Sequence, residues 1–169
     1  MTRFEILKST TIQFSIEELL QNKLDDFLLD ELFEIDNSFK EETILSNEIN
    51  TTEDVRRLEG FLKKNKSRIR PGLYNDCMEE LKKINDDIKW SASVEGKMVL
   101  QIERWIAQVR DKIASQLNGH NIFVGRSFVD PKALVVGGVI KDDLELITIK
   151  RFIEIENPPV APIYKFEKE

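Results

Sequence analysis

At 169 residues, the chain is long enough to bury a hydrophobic core without disulfides or structural metals. It contains one cysteine and one histidine, which excludes an internal disulfide and a zinc site built from cysteine and histidine ligands. The formal net charge is -6, and residues 1–60 carry 15 acidic side chains against 6 basic ones, so general coating of nucleic acid is disfavoured.

The amino-terminal part predicts a short β arm followed by an acidic helix. Residues 3–8 and 11–14 alternate between apolar and polar side chains, which indicates a strand or hairpin arm. Ser15, with Glu18 three residues later, matches a capping box and predicts a helix over residues 15–34. The apolar arc of this helix is wider than one packing surface covers, and it includes Leu24, Phe27, Leu28, Leu29 and Leu32. These residues are interpreted either as a docking or dimerising surface or as core.

The next segment combines a polar loop with a basic helix end. Residues 36–50 predict a loop with one short turn, which places a boundary near residue 50. Thr51 or Thr52 then caps a third helix. That helix ends in the cations Lys63, Lys64, Lys66, Arg68 and Arg70. Cations are favourable at the carboxyl end of a helix, so the cluster is interpreted as a solvated helix end or as an anion- or nucleic-acid-binding patch.

Two further helices are predicted before the pattern changes. Apolar spacing indicates a fourth helix over residues 73–88 and a long central helix over residues 93–119. In the central helix, Trp105 lies in the middle of the apolar stripe, so we expect it to be buried between the helical half and a sheet. Asn118-Gly119 supplies a left-handed carboxyl cap for this helix.

The carboxy-terminal part predicts a small antiparallel sheet. Residues 122–124, 133–140, 144–155 and 160–166 are rich in β-branched side chains and are separated by turn signals. The stretch 133–140 is apolar on both faces, which suits a central strand, and its paired glycines indicate a bulge or a close backbone approach. Residues 144–156 also fit a helix, and this alternative stays open.

The predicted fold class is therefore α+β, with a helical amino-terminal part, a long central amphipathic helix and a small antiparallel sheet. The predicted organisation is an acidic helical region over residues 1–50 and an α+β domain over residues 51–169, or one domain overall. The sequence has no run of about 20 apolar residues and no signal-peptide core, so we expect a cytoplasmic protein without membrane partners.

A Glu-x-Lys motif at Glu80 and Lys82 has the form in which PD-(D/E)XK nucleases hold Mg²⁺ and activate a water. Gln101 stands four residues before Trp105, as in a Gln-x-x-x-aromatic helix, and the apolar stretch 131–138 follows. With the upstream helix at residues 58–65, these motifs resemble Shedu-type anti-phage nucleases over residues 58–140. The resemblance implies a Mg²⁺-dependent nuclease, or a degenerate relative, with Glu80, Lys82 and Gln101 as its site residues.

The same residues also fit an ordinary exposed helix, on which Glu79 and Lys83 form an i,i+4 pair. The sequence carries no phosphate-binding loop, nucleophile elbow or histidine metal pair. The favoured function is therefore a non-enzymatic cytoplasmic interaction or regulatory accessory protein. It is expected to dock on another protein or on itself through its amphipathic helices, without a cofactor or metal site. Nucleic acid is a less favoured partner.

Overall fold

The computed structural model describes residues 2–12 and 14–169, and these residues form two compact units. The first unit joins the residues up to Glu18 with Val94–Glu169, and the second is the continuous segment Leu19–Ser93. Helices and a four-stranded sheet are both present, so the α+β class is confirmed. Residues on both sides of position 50 lie in the second unit, and the predicted domain boundary there stays a prediction.

The helices and strands are, in chain order, α1 (Arg3–Ser9), β1 (Thr11–Ile12), α2 (Asp26–Ile35), α3 (Thr43–Ser46), α4 (Thr52–Lys64), α5 (Pro71–Ala92), α6 (Val94–Gln116), β2 (Asn121–Ser127), β3 (Leu134–Ile140), α7 (Asp143–Ile155) and β4 (Ile163–Lys168). Short 3₁₀ turns occur at Glu17–Leu19, Asn37–Glu41 and Lys66–Arg68.

The sheet of the first unit has the strand order β1-β2-β3-β4. The β1–β2 and β2–β3 pairs are antiparallel, whereas β4 runs parallel to β3. The predicted all-antiparallel sheet is therefore wrong, and the sheet is mixed. The reason is helix α7, which connects β3 to β4. A helical connection carries the chain back to the end of the sheet at which β3 begins, so β4 runs in the same direction as β3.

Helices pack on both faces of this sheet. Side chains of α6 and α7, including Ile149, form one core with alternate residues of the strands, such as Val124 and Val136. Trp105 belongs to this core and is 8 % exposed, which confirms its predicted burial. Its indole Nε1 donates a hydrogen bond of 2.8 Å to the backbone oxygen of Glu156 at the end of α7. On the other face, α1 contacts β3, and its Phe4 ring lies 5.7 Å from that of Phe123.

The central position predicted for residues 133–140 is confirmed, because β3 lies between β2 and β4. The expected close backbone approach is present at both glycines of this strand. A Cβ atom at Gly138 would collide with the backbone oxygen of Asn121, and one at Gly137 would collide with the Phe123 ring. Both positions therefore exclude larger residues.

The second unit is helical and has a core of its own. Leucines from α2, α4 and α5, such as Leu32, Leu58 and Leu81, are fully buried in it. The predicted capping of the third helix is confirmed, because Thr51 and Asp54 form a capping box at the start of α4. The predicted fourth helix is also present but longer, since Pro71 occupies the first turn of α5, where it is favourable. The expected loop at residues 36–50 contains α3 and the Asn37–Glu41 turn.

The predictions for the amino-terminal part need two corrections. Residues 3–8 form helix α1 rather than a strand, because Thr2 and Glu5 make a capping box in which each side chain binds the other residue's backbone N–H. Residues 15–34 are not one helix, since α2 begins only at Asp26 and Asp25 is its cap. The Ser15 hydroxyl instead donates to Glu103. Of the expected strand at residues 11–14, β1 covers Thr11–Ile12, and position 13 lies outside the described residues.

The carboxy-terminal pattern is resolved in favour of a helix at residues 144–156. The Asp142 side chain accepts the backbone N–H of Glu145 and caps α7, so the strand alternative is wrong. The central helix is confirmed as α6, and Gly119 after it has a φ of 91°, the left-handed cap that was predicted. In the described parts of the chain, no helix has the length and hydrophobicity that a bilayer span requires.

Candidate interaction site: a basic groove at the edge of the sheet

The outer edge of β2 is only partly covered by β1. The described pairing joins Thr11 to Ser127 and Ile12 to Arg126, whereas β2 extends back to Asn121. The Phe128 N–H donates to the Thr10 oxygen at 3.1 Å, so backbone groups alternate along the strand and those of Val124 and Ile122 point to the same edge. Two groups of this edge are engaged within the chain, because the Ile122 N–H donates to the His120 oxygen at 3.2 Å and the Val124 oxygen accepts a hydrogen bond from Arg110.

A groove of about 400 Å³ runs along that part of the edge. Its apolar lining comes mainly from β2 and α6, with Ile113, Leu117 and Phe123 among the contributors. Its charged lining consists of basic residues, namely Lys8 from α1, Arg110 from α6 and His120 from the turn before β2. We call it the basic groove, because no carboxylate is among the described residues that line it.

Arg110 is the central cation of the basic groove. Its Nη2 donates a hydrogen bond of 3.0 Å to the backbone oxygen of Val124, at the open edge of β2. Burial lowers the pKa of the Arg110 guanidinium, but an arginine remains protonated at neutral pH. Arg110 therefore keeps its positive charge in the lining of the groove.

His120 and Lys8 contribute the other basic groups of the lining. The His120 Nδ1 contacts the Glu145 carboxylate. Two hydrogen bonds lower the pKa of Glu145. The larger effect comes from the backbone N–H of Lys141, which donates to the Glu145 carboxylate, and the smaller from the hydrogen bond with His120. Lys8 is exposed in the last turn of α1, where no carboxylate contact is recorded among the described residues. The groove is therefore lined by the cations Arg110 and Lys8 beside apolar side chains, and its His120 is engaged with Glu145.

Arg110 also lines a second, smaller cavity of about 170 Å³, next to a buried ion pair. Arg126 Nη2 lies 2.7 Å from Glu103 Oε1, and both side chains are almost fully buried. Glu103 accepts three further hydrogen bonds, from the Ser15 hydroxyl and from the backbone N–H groups of Ile16 and Glu17. This pair fixes the segment after β1 onto α6.

Sequence reasoning missed Glu103 and Arg126, because they are 23 residues apart and belong to no recognisable motif. One signal was present in the sequence. Glu103 is seven residues before Arg110 and four after Val99, so the three share one side of α6 at the border of the apolar stripe. An acidic residue on an apolar border favours a buried partner.

The proposed docking residues of α2 are mostly internal. Leu24, Leu28, Leu29 and Leu32 are buried in the core of the second unit, whereas Phe27 is 68 % exposed. The second surface that the wide apolar arc requires is provided by the same unit, because α2 contacts both α5 and the Asn37–Glu41 turn. Docking through this set would therefore have to use Phe27.

The Glu-x-Lys residues lie on a helix. Glu80 and Lys82 are in the middle of α5, and the Glu80 carboxylate accepts a hydrogen bond of 2.6 Å from the side-chain amide of Gln21. Gln101 is exposed on α6, in the other unit. Among the described residues, no group of three or more histidine, cysteine or acidic side chains is arranged to hold a metal ion.

The basic cluster at the end of α4 is partly neutralised within its own unit. Arg68 pairs with Asp36, and Arg70 Nη2 lies 3.5 Å from Glu31 Oε2. Lys63 lies 4.0 Å from a Glu59 oxygen. Lys66 Nζ lies 4.9 Å from the centre of the Tyr74 ring, and Lys64 is exposed.

Comparison of the chain with protein-family models, with curated proteins and with solved structures finds no match.

Proposed function

We propose that the protein is a non-enzymatic, cytoplasmic interaction protein with a regulatory or accessory role, whose partner inserts an extended acidic segment into the basic groove. The observation that carries the proposal is a strand edge that the described part of β1 pairs only at Arg126 and Ser127, beside a groove whose described charged lining is basic. Residues of the amphipathic helix α6 line the groove, so the proposed docking surface includes part of an amphipathic helix. The proposal requires no metal ion or cofactor.

The edge of β2 explains how an extended segment would bind. A peptide that continues the line of β1 would hydrogen-bond the Val124 N–H and the Ile122 oxygen. It would share or replace the contacts that the Ile122 N–H makes with the His120 oxygen and that the Val124 oxygen makes with Arg110. Strand addition obtains affinity from main-chain hydrogen bonds and specificity from pockets for alternate side chains. The apolar lining suits one side of such a strand, because alternate residues of a strand point to opposite faces.

The charges define the chemistry of the partner. Arg110 and Lys8 both line the groove, so carboxylate side chains on the peptide would meet cations there. A basic peptide would place like charges next to Arg110 and would bind more weakly. The formal net charge of -6 belongs to the whole chain and does not describe this groove.

The direct test uses a fluorescent peptide of alternating glutamate and valine, with a lysine and valine peptide of equal length as its counterpart. Anisotropy should show binding of the acidic peptide, and binding should weaken as salt is added. Lys8→Glu should weaken it by about fivefold or more, since an attractive charge becomes repulsive. Lys97→Glu is the matched control, because Lys97 is exposed on α6 and is not part of the groove lining.

Amide hydrogen exchange identifies the binding mode. Strand addition should slow exchange at the Val124 N–H when the acidic peptide is bound. Equal binding of the two peptides, or equal effects of Lys8→Glu and Lys97→Glu, would contradict the proposal. Nuclease activity is not part of it, because Glu80 and Lys82 lie on helix α5 and Gln101 lies in the other unit.

A further inference from the structure

The opposite edge of the same sheet carries a second surface, at strand β4. β4 is the outermost strand of the described sheet and pairs with β3. The Glu169 N–H donates to the Ile140 oxygen at 3.0 Å, which fixes the alternation of backbone groups along the strand. The N–H and C=O groups of Tyr164, Phe166 and Lys168 therefore point away from β3. An outward row of backbone donors and acceptors is a template for another strand.

We propose that two copies of the chain pair through β4, antiparallel, about a two-fold axis at Phe166. This axis makes Phe166 and its symmetry mate a hydrogen-bonded pair, as its outward backbone groups require. The four-stranded sheets then join into one continuous sheet across the axis. The interface is isologous, so the same residues act on both sides.

The charges on β4 select this register. With the axis at Phe166, Lys165 lies opposite Glu167 of the second copy, and Glu167 lies opposite its Lys165. An axis at Lys165 would place two lysines opposite each other, and an axis at Glu167 would place two glutamates opposite each other. Like charges directly opposite one another are destabilising, whereas opposite charges are favourable. The strand is therefore complementary to itself in one register.

The side chains on the other face agree with this register. Tyr164 and Phe166 stack at 6.4 Å on the face that carries α6 and α7, and both are half-buried. The two-fold axis brings a second Phe166 beside the first, and aromatic cross-strand pairs are among the favourable ones. Lys168 would lie opposite Tyr164 of the second copy.

Two charged side chains of β4 also have partners within the same chain. Arg3 Nε lies 2.9 Å from Glu167 Oε1, and Lys168 Nζ lies 2.8 Å from Asp143 Oδ1, so both charges are also held within their own unit. The basic groove is at the β2 edge of the same sheet. Pairing at β4 therefore leaves two grooves accessible, one at each end of the joined sheet. The self-pairing is independent of the proposed peptide binding.

The test is the mass of the full-length chain in solution as its concentration is varied. Sedimentation equilibrium should show a dimer for the native chain. Lys165→Glu or Glu167→Lys should each raise the dimer dissociation constant by at least about tenfold, because two symmetry-related attractions become repulsions. The double variant K165E/E167K restores opposite charges across the axis and should restore the dimer. Lys132→Glu, an exposed lysine on the β2–β3 loop, is the charge-matched control.

Circular dichroism and thermal melting of each variant separate lost association from lost folding. A native chain that stays monomeric at all concentrations overturns the proposal. A folded double variant that remains as weak as the single variants overturns the register. Unchanged association in a folded Lys165→Glu variant also overturns it, because that side chain lies directly on the proposed interface.

Discussion

At the scale of single residues, the Glu103–Arg126 pair is the most consequential polar contact of the first unit. Both side chains are buried, yet their hydrogen bonding is unequal. Glu103 accepts from Arg126, Ser15, Ile16 and Glu17, whereas Arg126 has Glu103 and the Pro131 oxygen as its acceptors and its Nε has none in the described structure. Buried ion pairs are costly to break from either side, because the remaining charge is left uncompensated.

This inequality predicts an order of stabilities. Glu103→Met leaves a buried guanidinium and three further donors without their acceptor, so it should cost about 3–5 kcal/mol. Arg126→Met should cost less, since Glu103 keeps three donors. Urea denaturation of the full chain measures both. Equal costs, or a larger cost for Arg126→Met, would show that the hydrogen bonds from Ser15, Ile16 and Glu17 to Glu103 contribute little to the free energy of unfolding.

At the scale of elements, α2 shows how a wide apolar arc is covered within one unit. Asp25 caps the helix by accepting the Phe27 N–H at 2.8 Å. Leu28, Leu29 and Leu32 then face inward, while Phe27 remains on the surface. The 3₁₀ turn after α2 inserts Phe39 into the same core, so the helix packs against two neighbouring elements of its own chain.

The two alternatives for α2 predict different behaviour of two charge substitutions. Leu29→Glu should destabilise the protein by more than about 3 kcal/mol, because a carboxylate would be buried without a partner. Phe27→Glu is the matched control and should change stability by less than about 0.5 kcal/mol, since the side chain is exposed. Thermal denaturation and native mass distinguish the outcomes. A stable Leu29→Glu variant with altered association would support the docking interpretation of α2 instead.

At the scale of the whole molecule, the second unit is one continuous segment between two parts of the first. Its core draws on both sides of residue 50, because Leu32 and Leu45 share it with Leu62 and Leu81. A cut at that position would divide one hydrophobic core. A cut on either side of Leu19–Ser93 leaves that core complete.

Two fragments of the chain test this organisation. Residues 19–93 expressed alone should fold into a helical unit with a cooperative thermal transition, because they contain all the residues of their core. Residues 1–50 should remain largely unfolded, since their leucines lose α4 and α5. Circular dichroism during heating measures both. Cooperative folding of residues 1–50 would instead support the domain boundary predicted from the sequence.

The sequence by itself determined the elements whose signals are local. The Thr51 cap, the Gly119 end and the apolar stripes predicted α4, α5 and α6, because those hydrogen bonds and faces involve residues a few positions apart. The apolar stretch of β3 predicted a central strand for the same reason. These elements were enough to establish the α+β class.

Only the tertiary structure decided the rest. Ser15 matched a local cap, but its hydroxyl binds Glu103, 88 residues away, and the cap of the helix is Asp25, ten residues later. The direction of β4 depended on whether residues 144–156 were a strand or a helix, and the apolar pattern fitted both. The basic groove joins Lys8 to Arg110 and His120. Such contacts depend on which distant segments pack together, and neither local hydrogen bonding nor the periodicity of one segment contains that information.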